Sequence, residues 1–167
     1  MDAIYALVFA AGGLATMVDG DCPTGCLRRD DAAPALSFQL SEARFQGEPA
    51  GVEIMARRDL AVAFGPFQPM LAASTTEDGA AWVGAGLRWE ARLGRLVTEA
   101  SFAPGLYVAG DGPRIGTTLE FRSGLAAGWD FGPATVSVSL DHRSNGGLSD
   151  TNPGLETVGL RVTIPLD

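Results

Sequence analysis

From residue 36 onward the chain alternates between apolar and polar positions with a period of two, the spacing of a strand with one apolar face. In the segment 79–90, Ala81, Val83, Ala85, Leu87 and Trp89 share one face, while Trp82, Gly84, Gly86, Arg88 and Glu90 share the other. In 116–129, Leu119, Phe121, Leu125, Ala127 and Trp129 oppose Thr118, Glu120, Arg122, Gly124 and Gly128. The pattern predicts eight strands, near 36–46, 51–64, 67–75, 79–90, 95–103, 116–129, 133–143 and 155–165. Turn residues separate them at 47–49, 65–66, 77–79, Gly105, 110–113 and 131–133. No segment of comparable length after residue 36 carries a helical period.

Ahead of the strands, residues 3–17 form an apolar run of about the length of a signal-peptide core, short of the roughly 20 residues a membrane-spanning helix needs. Asp2 stands where a signal would carry a basic residue. Residues 1–20 therefore read as a degenerate signal peptide or as an apolar segment packed as an N-terminal helix. Residues 21–35 read as an irregular linker, and residues 36–167 as the β domain.

A soluble sandwich also alternates, so the pattern alone does not orient the faces. Two details do. The polar faces carry mid-strand charges, Arg88, Glu99, Glu120 and Arg122, which can pair inside a small barrel. The predicted segments also run to about 9–14 residues, enough for a tilted membrane-spanning strand. Trp89 and Trp129 sit near strand ends, where an aromatic girdle lies. The fold expected is all-β, an eight-stranded antiparallel membrane β-barrel of the outer-membrane type. Pro165 has no N–H to give a ladder and limits the last strand.

The last two strands and their loop, residues 136–164, hold the only histidine. Counting by twos along Val136, Val138 and Leu140 reaches His142 and then Ser144. Counting back along Ile164, Val162, Leu160 and Val158 reaches Glu156. All three polar residues share the apolar face at the loop end. In a soluble core that placement would bury an ionisable pair at high cost; on a membrane barrel it puts the pair on the outer wall, near the interface. A carboxylate can hold one imidazole nitrogen while the other takes a hydroxyl proton, so Glu156, His142 and Ser144 fit the parts of a nucleophilic hydrolase. Asn145 and the amides of Gly146 and Gly147 are candidate oxyanion donors. Spacing alone leaves open a lone interfacial histidine beside an Asn-Gly turn.

Net charge and composition narrow the partners. At −8 with a pI near 4.5, the chain lacks the basic face that nucleic acid requires. All twelve basic residues are arginine, which suits local anion contacts and is equally explained by GC-rich codon usage. A single histidine without clustered ligands speaks against a catalytic metal. The glycines at 84–86 and 110–116 lack the Gly-Lys-Ser/Thr of a phosphate loop. Cys22 and Cys26 are one residue too far apart for a CxxC redox motif; a short disulfide and two free thiols both fit.

The run His142-Arg143-Ser144-Asn145-Gly146-Gly147-Leu148, followed by Asn152-Pro153-Gly154-Leu155-Glu156 on the last predicted hairpin, resembles the lipid A deacylase family of the PagL type, also grouped as acyloxyacyl hydrolases. That resemblance implies a bacterial outer-membrane esterase acting on lipid A of lipopolysaccharide, at the 3-position, without a cofactor. It implies His142 as general base, Ser144 as nucleophile and Glu156 as orienting carboxylate, with Asn145 toward the oxyanion and Asn152 shaping the loop. A homodimer is a candidate assembly. The competing reading is a non-enzymatic barrel of structural or adhesive type, in which His142 and Ser144 are incidental, and a third is a soluble ligand-carrying barrel.

Overall fold

The computed structural model describes residues 4–166; Met1, Asp2, Ala3 and the terminal Asp167 lie outside the described residues. Helix α1 (Ile4–Thr16) and a π turn (Met17–Asp21) precede ten strands: β1 (Arg29–Asp30), β2 (Ala35–Phe45), β3 (Glu48–Asp59), β4 (Ala63–Phe64), β5 (Phe67–Thr76), β6 (Ala81–Leu93), β7 (Leu96–Val108), β8 (Leu119–Asp130), β9 (Thr135–Ser144) and β10 (Leu155–Pro165). Eight of them pair antiparallel in the order β5-β3-β2-β10-β9-β8-β7-β6, and β5 pairs with β6 to close the ring. Closure leaves no unpaired edge strand, so the backbone polar groups of the wall pair with neighbouring strands rather than with water. The two-residue strands β1 and β4 pair with each other outside the ring, and β4 adds onto the start of β5.

All eight predicted strands are present; β3 begins at Glu48, within the turn expected at 47–49, β6 runs on to Leu93, β8 begins only at Leu119, and two bounds differ further. The segment predicted over 51–64 stops at Asp59, and the chain bends before the short β4. Strand β7 does not stop near residue 103 but runs through Pro104 and Gly105 to Val108. The β6–β7 ladder passes from Leu87↔Phe102 directly to Gly84↔Gly105, so no hydrogen bond is asked of Pro104. Gly105 is needed for space, because a Cβ there would sit 2.5 Å from the indole of Trp82. What reads as a turn signal is a seat for a large ring. Pro165 closes β10, opposite Ala35 of β2.

Strand parity sorts the side chains as the alternation predicts. Along β9, Ser137, Ser139, Asp141 and Arg143 are buried in the lumen, whereas Val136, Val138 and Leu140 are exposed on the outer wall. A cross-strand charge network spans the middle of the lumen, and a cavity of about 410 Å³ remains at the end that carries Ala35 and Pro165. Glu99 meets Arg57 at 2.5 Å, Arg161 at 2.6 Å and Arg88 at 3.0 Å. Asp59 meets Arg57 at 2.9 Å and Arg88 at 3.1 Å. Nearer the site end, Glu53 holds Arg122 at 2.8 Å and also pairs with Arg143, while Asp141 accepts from Gln39 at 2.7 Å. Trp82 and Tyr107 cap this network, with Arg143 5.8 Å from one ring centre and 5.3 Å from the other. Buried charges of this kind hold a fixed arrangement because each would be costly unpaired.

The two ends of the barrel differ. One end carries the 109–118 and 145–154 loops; the other carries the short 94–95 and 131–134 turns, the first residue of β2 and the last of β10. Cys22 and Cys26 form a disulfide. It lies at the short-turn end, where the Cys26 carbonyl packs against Gly65.

Candidate active site

Ladder register builds the site across three strands. His142 of β9 stands opposite Glu156 of β10 on one side and Ser123 of β8 on the other. Ser144, two residues along, stands opposite Phe121. Two steps along a strand separate His142 and Ser144 by roughly 7 Å of rise on one face, close enough for a side-chain hydroxyl to approach an imidazole. His142 Nδ1 lies 4.0 Å from Glu156 Oε1. Register fixes that pair, and the half-exposed Glu156 side chain has the freedom to shorten it. His142, Ser144 and Glu156 thus share the outward face, as parity predicts, and the lumen-facing Asp141 beneath them belongs to the charge network.

The loop after Ser144 is held from inside by Asn145, which is fully buried. Its side-chain Nδ2 donates to the carbonyl of Thr151 at 2.7 Å, to Ser149 Oγ at 2.9 Å and to the Ile115 carbonyl at 3.3 Å. Its own N–H donates to Asn152 Oδ1 at 3.0 Å, and its Oδ1 accepts from the Gly147 N–H at 2.9 Å. Asn145 and Asn152 together shape the loop and stitch it to the 109–118 loop. The donors of Asn145 and the Gly147 amide are spent within the loop. Among the described residues the Gly146 N–H donates no backbone hydrogen bond, and Gly146 lines the same groove as Ser144.

That groove, about 260 Å³, is walled by Phe102, Phe121, Ser123, Ser144, Gly146 and Ala6. The Phe102 and Phe121 rings stack 5.8 Å apart on its rim. Behind the imidazole stands Gly154, at φ 73°, where a Cβ would meet His142 Cε1 at 2.9 Å. Only glycine satisfies both the left-handed backbone and the close approach.

Helix α1 supplies what strand parity does not foresee. It packs on the outer wall across β6, β7 and β8, with its first turn at the site. The Tyr5 ring centre is 6.4 Å from that of His142, and Ala6 enters the groove of Ser144. At its other end Thr16 accepts a hydrogen bond from Trp89 Nε1 at 3.0 Å, and Phe9 packs on Phe67 at 5.4 Å. His142 and Ser144, though outward-facing, are consequently only 3% and 6% exposed. Parity predicts a site open sideways; a roof of the chain's own residues lies over it. The apolar run at 3–17 allows a packed N-terminal helix, and the Gly12-Gly13 pair within it is the signal for close approach to a wall.

No curated protein matches the chain. Among solved structures, the outer membrane enzyme PagL is similar with a TM-score of 0.62 at 19% identity, over 79% of this chain and 99% of that one. A de novo designed transmembrane β-barrel matches at 0.60 and 9% identity, over 82% and 98%. Neisserial surface protein A matches at 0.56 and 7% identity, over 83% and 99%. At these identities the likeness is one of fold, that of an outer-membrane barrel. The family described as lipid A 3-O-deacylase (PagL) matches residues 57–165, from within β3 to the end of β10 and including His142, Ser144 and Glu156. That match spans more than half of the sequence, and the chain belongs to the PagL lipid A 3-O-deacylase family.

Proposed function

We propose that this protein is an outer-membrane esterase that hydrolyses an ester-linked acyl chain of lipid A, at the 3-position, through Ser144, His142 and Glu156. The observation that carries this reading is the row of Ser123, His142 and Glu156, with Ser144 beside it, on the outward wall of a barrel of this family. Outer-membrane barrels set longer loops outside and short turns in the periplasm. The site lies at the long-loop end, level with the leaflet that holds lipid A, and the Cys22–Cys26 disulfide lies at the end facing the oxidising periplasm.

Ser144 Oγ attacks the ester carbonyl while His142 takes its proton, and Glu156 stabilises the imidazolium that forms. The carbonyl oxygen gains the negative charge, and the Gly146 N–H, on the same groove as Ser144, is a candidate donor to it. Collapse breaks the ester C–O bond, and His142 returns the proton to the departing sugar hydroxyl. Water, deprotonated by His142, then cleaves the acyl-serine to free fatty acid. The lumen packed with ion pairs leaves the outer wall as the route for a lipid.

An alkyl fluorophosphonate, which reacts with activated serines, is expected to label the full chain on the peptide containing Ser144. Labelling should fall to background in His142→Asn. A correctly folded barrel that takes no label, or takes it equally without His142, would sink the esterase reading in favour of a structural barrel.

Gly154→Val is expected to push the imidazole off its seat. The labelling rate should drop by roughly 10- to 100-fold, the range seen for about 1 Å of misplacement at a catalytic group. The barrel itself should keep its heat-modifiable migration on gels, because Gly154 is in the loop rather than the wall.

A further inference from the structure

Resting on the esterase reading above, we propose that helix α1 occupies the trench that receives the acyl chain, so that the chain is latent until lipid displaces its own N-terminal helix.

The trench runs down the outer wall from Ser144. Its floor is made of small residues: Ser123, and Ala100, which pairs with the outward-facing Trp89 and Leu125 and is nevertheless 1% exposed. Phe102 and Phe121 form its rim at the upper end, Phe67 and Trp89 at the lower. Helix α1 lies across it with Ala6 in the serine groove, where the carbonyl end of an acyl chain would sit. Gly12 and Gly13 let the helix press flat: a Cβ at Gly12 would come within 2.7 Å of the Trp89 ring, and one at Gly13 within 2.2 Å of Phe67. Each mid-helix glycine costs about 1 kcal/mol of helix stability relative to alanine, which the close packing offsets.

The occupant resembles its competitor. Helix α1, Ile4–Thr16, carries no charged side chain, and at 1.5 Å per residue it is about 20 Å long, comparable with an extended fatty acyl chain. Gly13 is buried and Tyr5, Ala6, Phe9, Ala10 and Gly12 are half-buried against the wall, while the opposite face, with Ile4, Leu7, Val8 and Leu14, is exposed toward the membrane. A helix apolar all round can leave the wall for surrounding lipid without exposing its side chains to water. Displacement would not release it far. The disulfide-closed turn at Cys22–Cys26 and the β1–β4 pair anchor the following segment to the barrel, which keeps α1 at high effective concentration beside the trench.

The test compares the full-length native chain with a Gly12→Leu/Gly13→Leu variant, which wedges α1 off Trp89 and Phe67 without altering Ser144, His142 or Glu156. A palmitic acid carrying a diazirine near its carboxyl end is photolysed with each protein in detergent micelles, and adducts on the peptides containing Phe102 and Phe121, which wall the serine groove, are counted. The wedged variant should gain about tenfold in adducts, equivalent to some 1.4 kcal/mol of lost docking. Lipid A deacylation by the same pair should rise in step. Unchanged adduct yield would overturn the proposal, as would a rise in adducts while both chains deacylate at one rate. Adducts that rise while neither chain deacylates would leave the plugged trench standing and remove the esterase reading. Deacylation with no change in adducts would do the reverse. Should the double variant misfold, Thr16→Val with Trp89→Phe removes the Trp89–Thr16 hydrogen bond without adding bulk and gives the same comparison.

Discussion

Replacing Ser144 with alanine is expected to lower lipid A deacylation by roughly 10⁴-fold or more, to the residual level that binding and oxyanion contacts alone provide. His142→Asn should cost nearly as much, because the imidazole stands between Ser144 and Glu156 as the group placed to take the hydroxyl proton. The lumen-facing Asp141 and Arg143 on either side of His142 point away from Ser144 and are engaged with Arg122 and Glu53. Glu156→Gln should cost less. Its carboxylate is 4.0 Å from the imidazole and 39% exposed, so water shares in stabilising the imidazolium. Initial rates on lipid A micelles, for chains whose barrel is intact by heat-modifiable migration, check this order. Equal losses for all three would place Glu156 more deeply in the chemistry than the geometry implies; retained activity in Ser144→Ala would remove the nucleophile.

The largest expected stability effect is at Glu99, far from the site. Its carboxylate is the common partner of Arg57, Arg88 and Arg161, contributed by three other strands. Glu99→Ala leaves three guanidinium groups in the lumen with their shared counter-charge gone, and Asp59 can compensate only Arg57 and Arg88. Removing one partner of a buried charge pair costs about 3–5 kcal/mol. Reversible urea unfolding in lipid vesicles should show a loss of that size, with Glu99→Gln losing less because an acceptor oxygen remains. Deacylation per folded molecule should be unchanged, since Glu99 faces the lumen and the row of His142, Ser144 and Glu156 faces out.

The same separation of faces explains how much was legible in the sequence. Period-two alternation located all eight wall strands, and counting by twos from Val136 put His142 and Ser144 on the outer face. Both follow from backbone geometry that every strand shares. The overrun of β7 was not legible, because Pro104-Gly105 looks like a turn until Trp82 of the neighbouring strand is seen to need the space. Asn145 looked like an oxyanion donor because it follows the serine; its burial and its bonds to the 109–118 loop are contacts across 30 residues that spacing cannot report. Helix α1 was ambiguous for a physical reason: an apolar run that suits a signal segment also suits a helix laid on an apolar wall. Its docking depends on the positions of Phe67 and Trp89, which only the closed barrel brings together.

Mass spectrometry of lipid A treated with the purified full-length chain, and with its Gly12→Leu/Gly13→Leu form, tests the central claim most directly. The expected result is loss of one ester-linked acyl chain, recovery of the matching free fatty acid, and no loss with Ser144→Ala. Lipid A of unchanged mass after treatment with both Ser144-containing chains, each verified as a folded barrel, would contradict it.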